Sequence, residues 1–324
     1  MAGLSPPPRN EAPTRVVARI LVLILLVIGA GLTVWAAVTH QRIDLTEDVG
    51  LIELELDQVE TEQGTLLNVV IEGEGTAPLV LLHDFDVAGS VLWDGVVSAL
   101  DPKFQTMRVD LPGFGFSERI PNEGPRHTVA SMAVEVGDAI GQRFDQPVVI
   151  AGVGLGGEVA AEIAVIDPDL VAGVVMVDVD FYQRDGWVAF VEKLPWFGTA
   201  ATFAFETGGS FAVERWSPMC GEGGWCPTSS QVAARDLANT IEETTDSLRA
   251  FRRTPAASVV PSKLAEITAP VHYLWSQQGE VPRESVDRVQ EALPDAQFDV
   301  LAEAWKAHLD HAGDVARAIA GIAP

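Results

Sequence analysis

The sequence DLPGFGFS, from Asp110 to Ser117, is the stretch that decides the fold. It directly follows an apolar run, Phe104–Val109, of the length expected for a buried strand. Seven more apolar runs occur along the chain, with helical stretches between them. These runs are Leu51–Leu56, Leu66–Ile71, Leu79–Leu82, Val148–Ala151, Val171–Val177, Val271–Trp275 and Phe298–Leu301. Such alternation predicts an α/β protein with a mostly parallel sheet wrapped by helices.

Three further motifs flank this stretch in a fixed order. His83–Phe85 follows one strand, Gly152–Gly157 joins another strand to a helix, and Val177-Asp178 precedes an insertion rich in aromatic residues. In this order the motifs resemble the α/β-hydrolase superfamily, in its capped epoxide-hydrolase and lipase-like branch. The resemblance implies an eight-stranded sheet whose core is formed by residues 51–180 and 261–324, with a helical cap at 181–260.

The nucleophile of this superfamily stands in the middle of a G-x-S-x-G turn between strand and helix. Here that position is Gly154, and its neighbours Val153 and Leu155 carry no nucleophilic group. Glycine cannot form an acyl-enzyme. The sequence therefore predicts that the turn has lost its nucleophile.

The superfamily's general base is a histidine just before the last helix, and Trp305 takes its place here. An indole N–H donates a hydrogen bond but cannot accept a proton near neutral pH. We expect the Trp305 side chain to be buried beside Gly154 and to fill part of the former active site. His308 and His311 are the alternative candidates for a base.

The superfamily's acid follows the seventh strand, where the aligned residue is Gln278 or Gly279. Glu280, Asp178 and Asp180 remain alternatives for a carboxylate. Without a histidine to orient, however, an acid alone contributes little.

The oxyanion hole of the superfamily corresponds here to the backbone of Leu155 and of the Asp84–Phe85 region. Asp84 replaces the usual glycine, and a carboxylate beside a developing oxyanion opposes its stabilisation. We therefore predict no catalytic residues at the three triad positions. His83, at the end of its strand, is expected to bond to the backbone.

The N-terminal region indicates attachment to a membrane. Residues 20–38 lack charge and are long enough to cross the hydrocarbon core of a bilayer. Arg9, Arg15 and Arg19 precede this run, so the positive-inside rule places the N-terminus in the cytoplasm. We predict a disordered tail at 1–15, a single-pass transmembrane helix at 16–39, a linker at 40–50, and a folded domain on the extracellular or periplasmic side of the plasma membrane. A cleaved signal peptide is the alternative.

Two cysteines, Cys220 and Cys226, lie close together in the insertion. In the oxidising compartment that an exported domain occupies, they are expected to form a disulfide. A metal site is disfavoured, because no His or further Cys lies nearby to complete a set of four ligands.

Charge and motifs together favour a binding role. The net charge of −25 argues against nucleic acid as a partner. The leading hypothesis is a catalytically degenerate binding or assembly subunit of the cell envelope, which binds a membrane protein or complex and uses no cofactor. An esterase or lipase-like hydrolase with a relocated triad is one alternative. A non-catalytic binder of small apolar ligands is the other.

Overall fold

A computed structural model describes most of the predicted core. The described residues are 56–120, 124–182, 225–254 and 260–323, with seven isolated helical positions elsewhere. Among these residues, no helix is long and apolar enough to span a bilayer. Most of residues 16–39, the tail, the linker and Cys220 lie outside the described residues. The transmembrane helix and the Cys220–Cys226 disulfide therefore remain predictions.

Eight strands form one sheet in the order β1-β2-β4-β3-β5-β6-β7-β8. The first two pairings, β1 with β2 and β2 with β4, are antiparallel, and the others are parallel. This confirms the eight-stranded, mostly parallel sheet. The strands are β1 Asp57–Glu60, β2 Leu66–Glu72, β3 Ala77–Leu82, β4 Phe104–Val109, β5 Val148–Val153, β6 Val171–Val177, β7 Val271–Ser276 and β8 Gln297–Leu301.

The predicted first strand, Leu51–Leu56, lies outside the described residues except for Leu56, and sequence analysis did not predict the strand that follows it. The observed β1 begins at Asp57, after Leu56, and only Val59 of its four residues is buried. A tight turn at Thr61–Gly64, with a backbone hydrogen bond of 2.8 Å, pairs β1 with β2. An edge strand with one buried residue needs no apolar run, so the apolar pattern did not indicate β1.

Helices cover both faces of the sheet. Alternate strand residues face opposite sides, so Leu79 and Leu81 pack in one core cluster while Val80 and Leu82 pack in the other. The helices are α1 Asp94–Ala99, α2 Val129–Gly141, α3 Leu155–Ile166, α4 Ser229–Thr240, α5 Thr244–Arg253, α6 Val260–Lys263, α7 Arg283–Ala292, α8 Ala307–Asp310 and α9 Ala312–Ile322. Helices α1 and α9 cover the face with Leu79 and Leu81, and α2, α3 and α7 cover the face with Val80 and Leu82.

The DLPGFGFS loop is organised by Asp110. Its carboxylate accepts hydrogen bonds from the backbone of Ser90 (2.6 Å) and Phe116 (2.9 Å) and from the Asn68 amide (2.8 Å). Gly115 has φ 51°, and a Cβ there would overlap this carboxylate. The motif therefore requires glycine at this position because backbone and carboxylate approach closely.

Helices α4 and α5 lie within the range predicted for the cap, and they contact the core. The buried Arg119 guanidinium, just after the DLPGFGFS loop, donates to Gly115 O (2.6 Å), Ser117 O (2.6 Å) and Ala238 O (3.1 Å). Its Nε donates to Thr244 Oγ1 at 2.7 Å. One side chain thus joins the loop to both helices. The predicted cap boundaries remain a prediction, since residues 183–224 are almost entirely outside the described part.

Candidate functional site

Gly154 lies at the sharp turn between β5 and α3, at the carboxyl edge of the sheet. Its backbone angles are φ 49° and ψ −116°, a conformation that costs any other residue roughly 1–3 kcal/mol. The turn is tightly packed, because a Cβ on Gly156 would overlap the backbone carbonyls of Leu82 and His83. The structure therefore keeps the shape of a nucleophile turn and places no side chain at its tip.

The Asp84 carboxylate occupies the space in front of Gly154. Its Oδ1 accepts a hydrogen bond from the Leu155 N–H at 3.0 Å, and a Cβ built on Gly154 would overlap the same carboxylate. The sequence placed Asp84 and Leu155 together in the former oxyanion hole, and the structure brings them into direct contact. It shows further that the Leu155 amide already has an anionic partner.

Lys306 completes this cluster. Its Nζ lies 3.8 Å from Asp84 Oδ2, and the two side chains are 29% and 30% exposed. Burial alone raises the pKa of Asp84, but the Lys306 ammonium and the backbone amides of Leu155 and Phe85 lower it more, so the pKa lies below its ordinary value. Asp84 is therefore a carboxylate at neutral pH. Sequence reasoning missed Lys306, although it directly follows Trp305.

The expectation that Trp305 is a buried plug is wrong. Its side chain is 41% exposed, and its backbone N–H donates to Asp310 Oδ2 at 2.8 Å. The neighbouring Lys306 contacts Asp84 instead. A flexible lysine can extend its ammonium to a carboxylate while its stem stays partly buried. The assignment of Trp305 to the base position remains a prediction.

Gln278 lies in the turn after β7 and is exposed. Its amide donates to Ala302 O at 3.3 Å, and its backbone N–H donates to Ala304 O at 3.1 Å. Glu280 is also exposed. Neither residue is brought to Gly154 by a contact in the described structure, so Gln278 supports the turn between β7 and the last segment.

Asp178, which follows β6, holds three segments together. Its carboxylate accepts from the Ser276 N–H and from the Ser276 hydroxyl, each at 2.6 Å. The Ala307 N–H lies 3.5 Å from the same carboxylate and donates to Ser276 Oγ at 3.0 Å. Burial raises the pKa of Asp178 to about 6, against the lowering effect of these hydrogen bonds. The Asp178 carboxylate therefore stabilises the packing of β6, β7 and the start of α8.

The histidines near the site differ in environment. His308 is buried beside Trp93, and neither of its ring nitrogens has a hydrogen-bond partner in the described part of the chain. Burial, then the Lys306 charge, lower the pKa of His308 to about 3, so the ring is neutral. The His311 Nδ1 lies 3.1 Å from Asp310 Oδ1. No contact in the described residues brings either ring to Gly154.

His83 bonds to the backbone, as expected. Its Nε2 accepts from the Leu111 N–H at 2.9 Å, which fixes the tautomer so that Nδ1 donates to Asp84 O at 2.5 Å. Burial lowers the pKa of His83. The histidine therefore ties the Asp84 loop to the start of the DLPGFGFS loop.

Phe85, the other predicted oxyanion-hole residue, packs into an aromatic cluster. Its ring lies 5.1 Å from Phe114 and 5.2 Å from Phe251 of helix α5, measured between centroids. The Arg252 guanidinium lies over the same ring at 3.8 Å. Arg235 of helix α4 lies 3.4 Å from Asp86 Oδ1. The loop that carries Asp84 is thus in contact with both described cap helices.

Glu158, in the first turn of α3, is a second acid that the sequence did not single out. Burial, then the charges of Asp84 and Asp180, raise its pKa to about 8. Asp84, Glu158 and Asp180 therefore lie close enough to influence one another near the Gly154 turn, and Lys306 is the cation that contacts Asp84. Among the described residues, no group of three or more His, Cys, Asp or Glu side chains could hold a metal ion.

The fold and a match between the sequence and a family model together identify the family of this chain. The model described as the alpha/beta hydrolase family matches residues 79–318, so the chain belongs to that family. This confirms the resemblance derived from the motifs.

Individual proteins are similar to this chain over different lengths. The pimeloyl-[acyl-carrier protein] methyl ester esterase of Yersinia pseudotuberculosis is 28% identical over 265 residues, which are 78% of this chain and 95% of that protein. Its namesake from Aeromonas hydrophila is 33% identical over 132 residues, or 40% of this chain and 49% of that protein.

Solved structures share the fold at low identity. A hydrolase from Pseudomonas aeruginosa has a TM-score of 0.67 at 16% identity, covering 83% of this chain and 98% of its own. The epoxide hydrolase CorEH also has a TM-score of 0.67, at 17% identity, covering 81% and 95%.

Proposed function

We propose that this chain is a catalytically degenerate member of its family that acts as a binding or assembly subunit at a membrane. A single observation carries the proposal. The Asp84 carboxylate fills the space in front of Gly154 where the side chain of a nucleophile would stand, and it engages the Leu155 amide.

Each part of acyl-transfer chemistry meets an obstacle in this arrangement. Gly154 has no atom that could attack a carbonyl. An oxyanion formed near the Leu155 N–H would lie beside the negative charge of Asp84, which opposes the required stabilisation. Burial lowers the pKa of His308 to about 3, so the ring beside Trp93 is a weak base, and Asp178 bonds to Ser276. No hydrogen bond in the described part of the chain orients the His308 ring as a base.

The location and partner are further parts of the proposal and rest on sequence. Residues 20–38 form an uncharged run of bilayer length, and arginines precede it. We propose single-pass anchoring, with the folded domain outside the plasma membrane. A membrane protein or complex is the proposed partner, because the anchor confines the domain to the same surface. A small apolar ligand is an alternative occupant.

Hydrolysis is the second candidate, and the comparisons favour it. The relatives with curated names are esterases, and one of them matches over 95% of its length. An active hydrolase of this sequence would need a nucleophile other than residue 154 and would need Asp84 to leave the Leu155 amide.

A fluorophosphonate probe and short-chain activated esters separate these candidates. The full chain in mild detergent should neither react with the probe nor hydrolyse the esters above the buffer rate. A matched active esterase from the family serves as the positive control. Turnover that survives repurification and is abolished by one serine or aspartate substitution would contradict the proposal.

A further inference from the structure

The two carboxylate oxygens of Asp84 face two different partners, a backbone N–H and a lysine ammonium. Oδ1 accepts from the Leu155 N–H at 3.0 Å, while Oδ2 lies 3.8 Å from Lys306 Nζ. The partners come from distant parts of the chain. This is the arrangement that a small bound carboxylate would adopt between an amide donor and an ammonium.

The neighbouring Asp86 differs from Asp84 in what its carboxylate contacts. Asp86 Oδ1 accepts from the Ala88 N–H at 2.9 Å and lies 3.4 Å from the Arg235 guanidinium of α4. Asp84 instead crosses to α3, and it does so through space that any side chain at position 154 would occupy. An aspartate that only bonded to its own turn would not need the space left by Gly154, which is 70 residues away in the sequence.

We propose that Asp84 is an intramolecular inhibitor of the site at Gly154. Its carboxylate takes the amide and the ammonium that a small organic carboxylate would otherwise bind. The inference goes beyond the proposed function and does not rest on it. An Asp84 side chain that blocks the site, here called the plug, is compatible with a site that has lost catalysis and with an active site that is only blocked.

Removal of the plug has a defined consequence. In Asp84→Gly, the Leu155 N–H and the Lys306 ammonium lose their anion, and the space in front of Gly154 opens. The cluster also loses its nearest negative charge. The variant should therefore bind a small monocarboxylate, for which the amide and ammonium supply charge-assisted donors.

The test is calorimetric titration of the full chain in detergent with sodium butyrate against sodium chloride at equal ionic strength. Asp84→Gly should bind butyrate at least about tenfold more tightly than the unaltered chain, which is about 1.4 kcal/mol. Asp84→Asn should show no gain, because its amide oxygen still occupies the Leu155 N–H. In Asp84→Gly/Lys306→Gln the gain should disappear.

Asp57→Asn is the matched control. Asp57 lies on the edge strand β1, and the substitution removes its carboxylate from an ion pair with Arg143. Should Asp84→Gly not fold, Asp84→Ala removes the same carboxylate with a smaller change to the backbone. Equal butyrate binding by the unaltered chain and the folded variant would overturn the inference. An equal gain in Asp57→Asn, or a gain that survives Lys306→Gln, would also overturn it.

The result is distinguishable from a failure of the proposed function. Ester hydrolysis by the unaltered chain would end the proposal of a degenerate enzyme, whatever its affinity for butyrate. Failure of Asp84→Gly to gain affinity would end the proposal that Asp84 blocks a carboxylate site, whereas the missing nucleophile at Gly154 would still account for a lack of hydrolysis.

Discussion

At the scale of single residues, Gly154 and Asp84 depend on each other. The backbone at Gly154 has a positive φ, and the missing side chain leaves room for the Asp84 carboxylate. A residue with a side chain at 154 would therefore be strained and would also have to displace Asp84 from the Leu155 amide. The two effects add, because one concerns the backbone and the other a distant side chain.

Gly154→Ser should lower the free energy of unfolding by about 2–5 kcal/mol, as the sum of backbone strain and displacement of the carboxylate. Urea unfolding measures this loss. Gly64→Ser is the control, since Gly64 also has a positive φ, 78°, but a Cβ there meets nothing within 4 Å. The control should lose only about 1–2 kcal/mol. Equal losses would show that Asp84 is not in the way, as would a failure of Asp84→Gly to rescue Gly154→Ser.

Glu158 gives a prediction for pH. Its pKa in the folded chain, about 8, lies above the ordinary 4.5 of a glutamate, so the folded state holds the proton more tightly than the unfolded state does. This contribution to stability is complete below the unfolded pKa and is lost as the pH rises through about 8. The contribution of Glu158 to stability should therefore fall between pH 5 and pH 8.

Glu158→Gln should remove roughly 2 kcal/mol of that fall, after allowance for solvent screening. Thermal unfolding at pH 5, 6.5 and 8 measures it. Glu303→Gln is the control, because Glu303 is exposed, and it should leave the pH dependence unchanged. A Glu158→Gln variant with the same pH profile as the unaltered chain would contradict the prediction.

At the scale of elements, helices α4 and α5 depend on one buried cation. Arg119 donates to carbonyls of the DLPGFGFS loop and of α4, and to the Thr244 hydroxyl at the start of α5. Burial lowers its pKa to about 9, which still leaves it charged at neutral pH. Its hydrogen bonds therefore offset the cost of burying the charge, and the carbonyls have no equivalent donor without it.

Arg119→Met should cost about 3–5 kcal/mol, as expected when one partner of a buried, hydrogen-bonded charge is removed. Limited proteolysis should show faster cleavage within residues 225–254, since their contacts with the loop are lost. Arg317→Met is the control, because that side chain is 74% exposed and pairs with Asp314 in the same helix. Similar cleavage rates for the two variants would contradict an anchoring role for Arg119.

At the scale of the whole molecule, the charged body and the apolar run near the N-terminus predict different behaviour. The net charge of −25 disfavours electrostatic adsorption to anionic lipid, whereas residues 20–38 favour insertion. Membrane association should therefore resist high salt and alkaline carbonate and yield to detergent.

Fractionation of the full chain in a host membrane measures this association. A variant without residues 1–40 should be recovered in the supernatant, and the N-terminus of the mature chain should still include residues 1–19. Release of the full chain by salt would contradict a spanning helix. Cleavage after Ala36 or Ala37 would instead identify the segment as a signal peptide.

The sequence alone determined the sheet, because strands at a buried core need apolar runs, and it found seven of the eight strands in this way. It missed β1, which is an edge strand with one buried residue. It also identified Gly154 at the turn, since the glycine-rich motif between strand and helix is local. Local patterns of this kind can be read without the fold.

Only the tertiary structure decided what fills the site. The contact of Asp84 with Leu155 joins residues 71 positions apart, and it depends on the overlap that Gly154 avoids. The choice of Lys306 over Trp305 as the side chain nearest Asp84 depends on rotamers, burial and charge at one point in space. Neighbouring residues in a sequence give no information about such distances, so the occupant of the site could not be predicted from it.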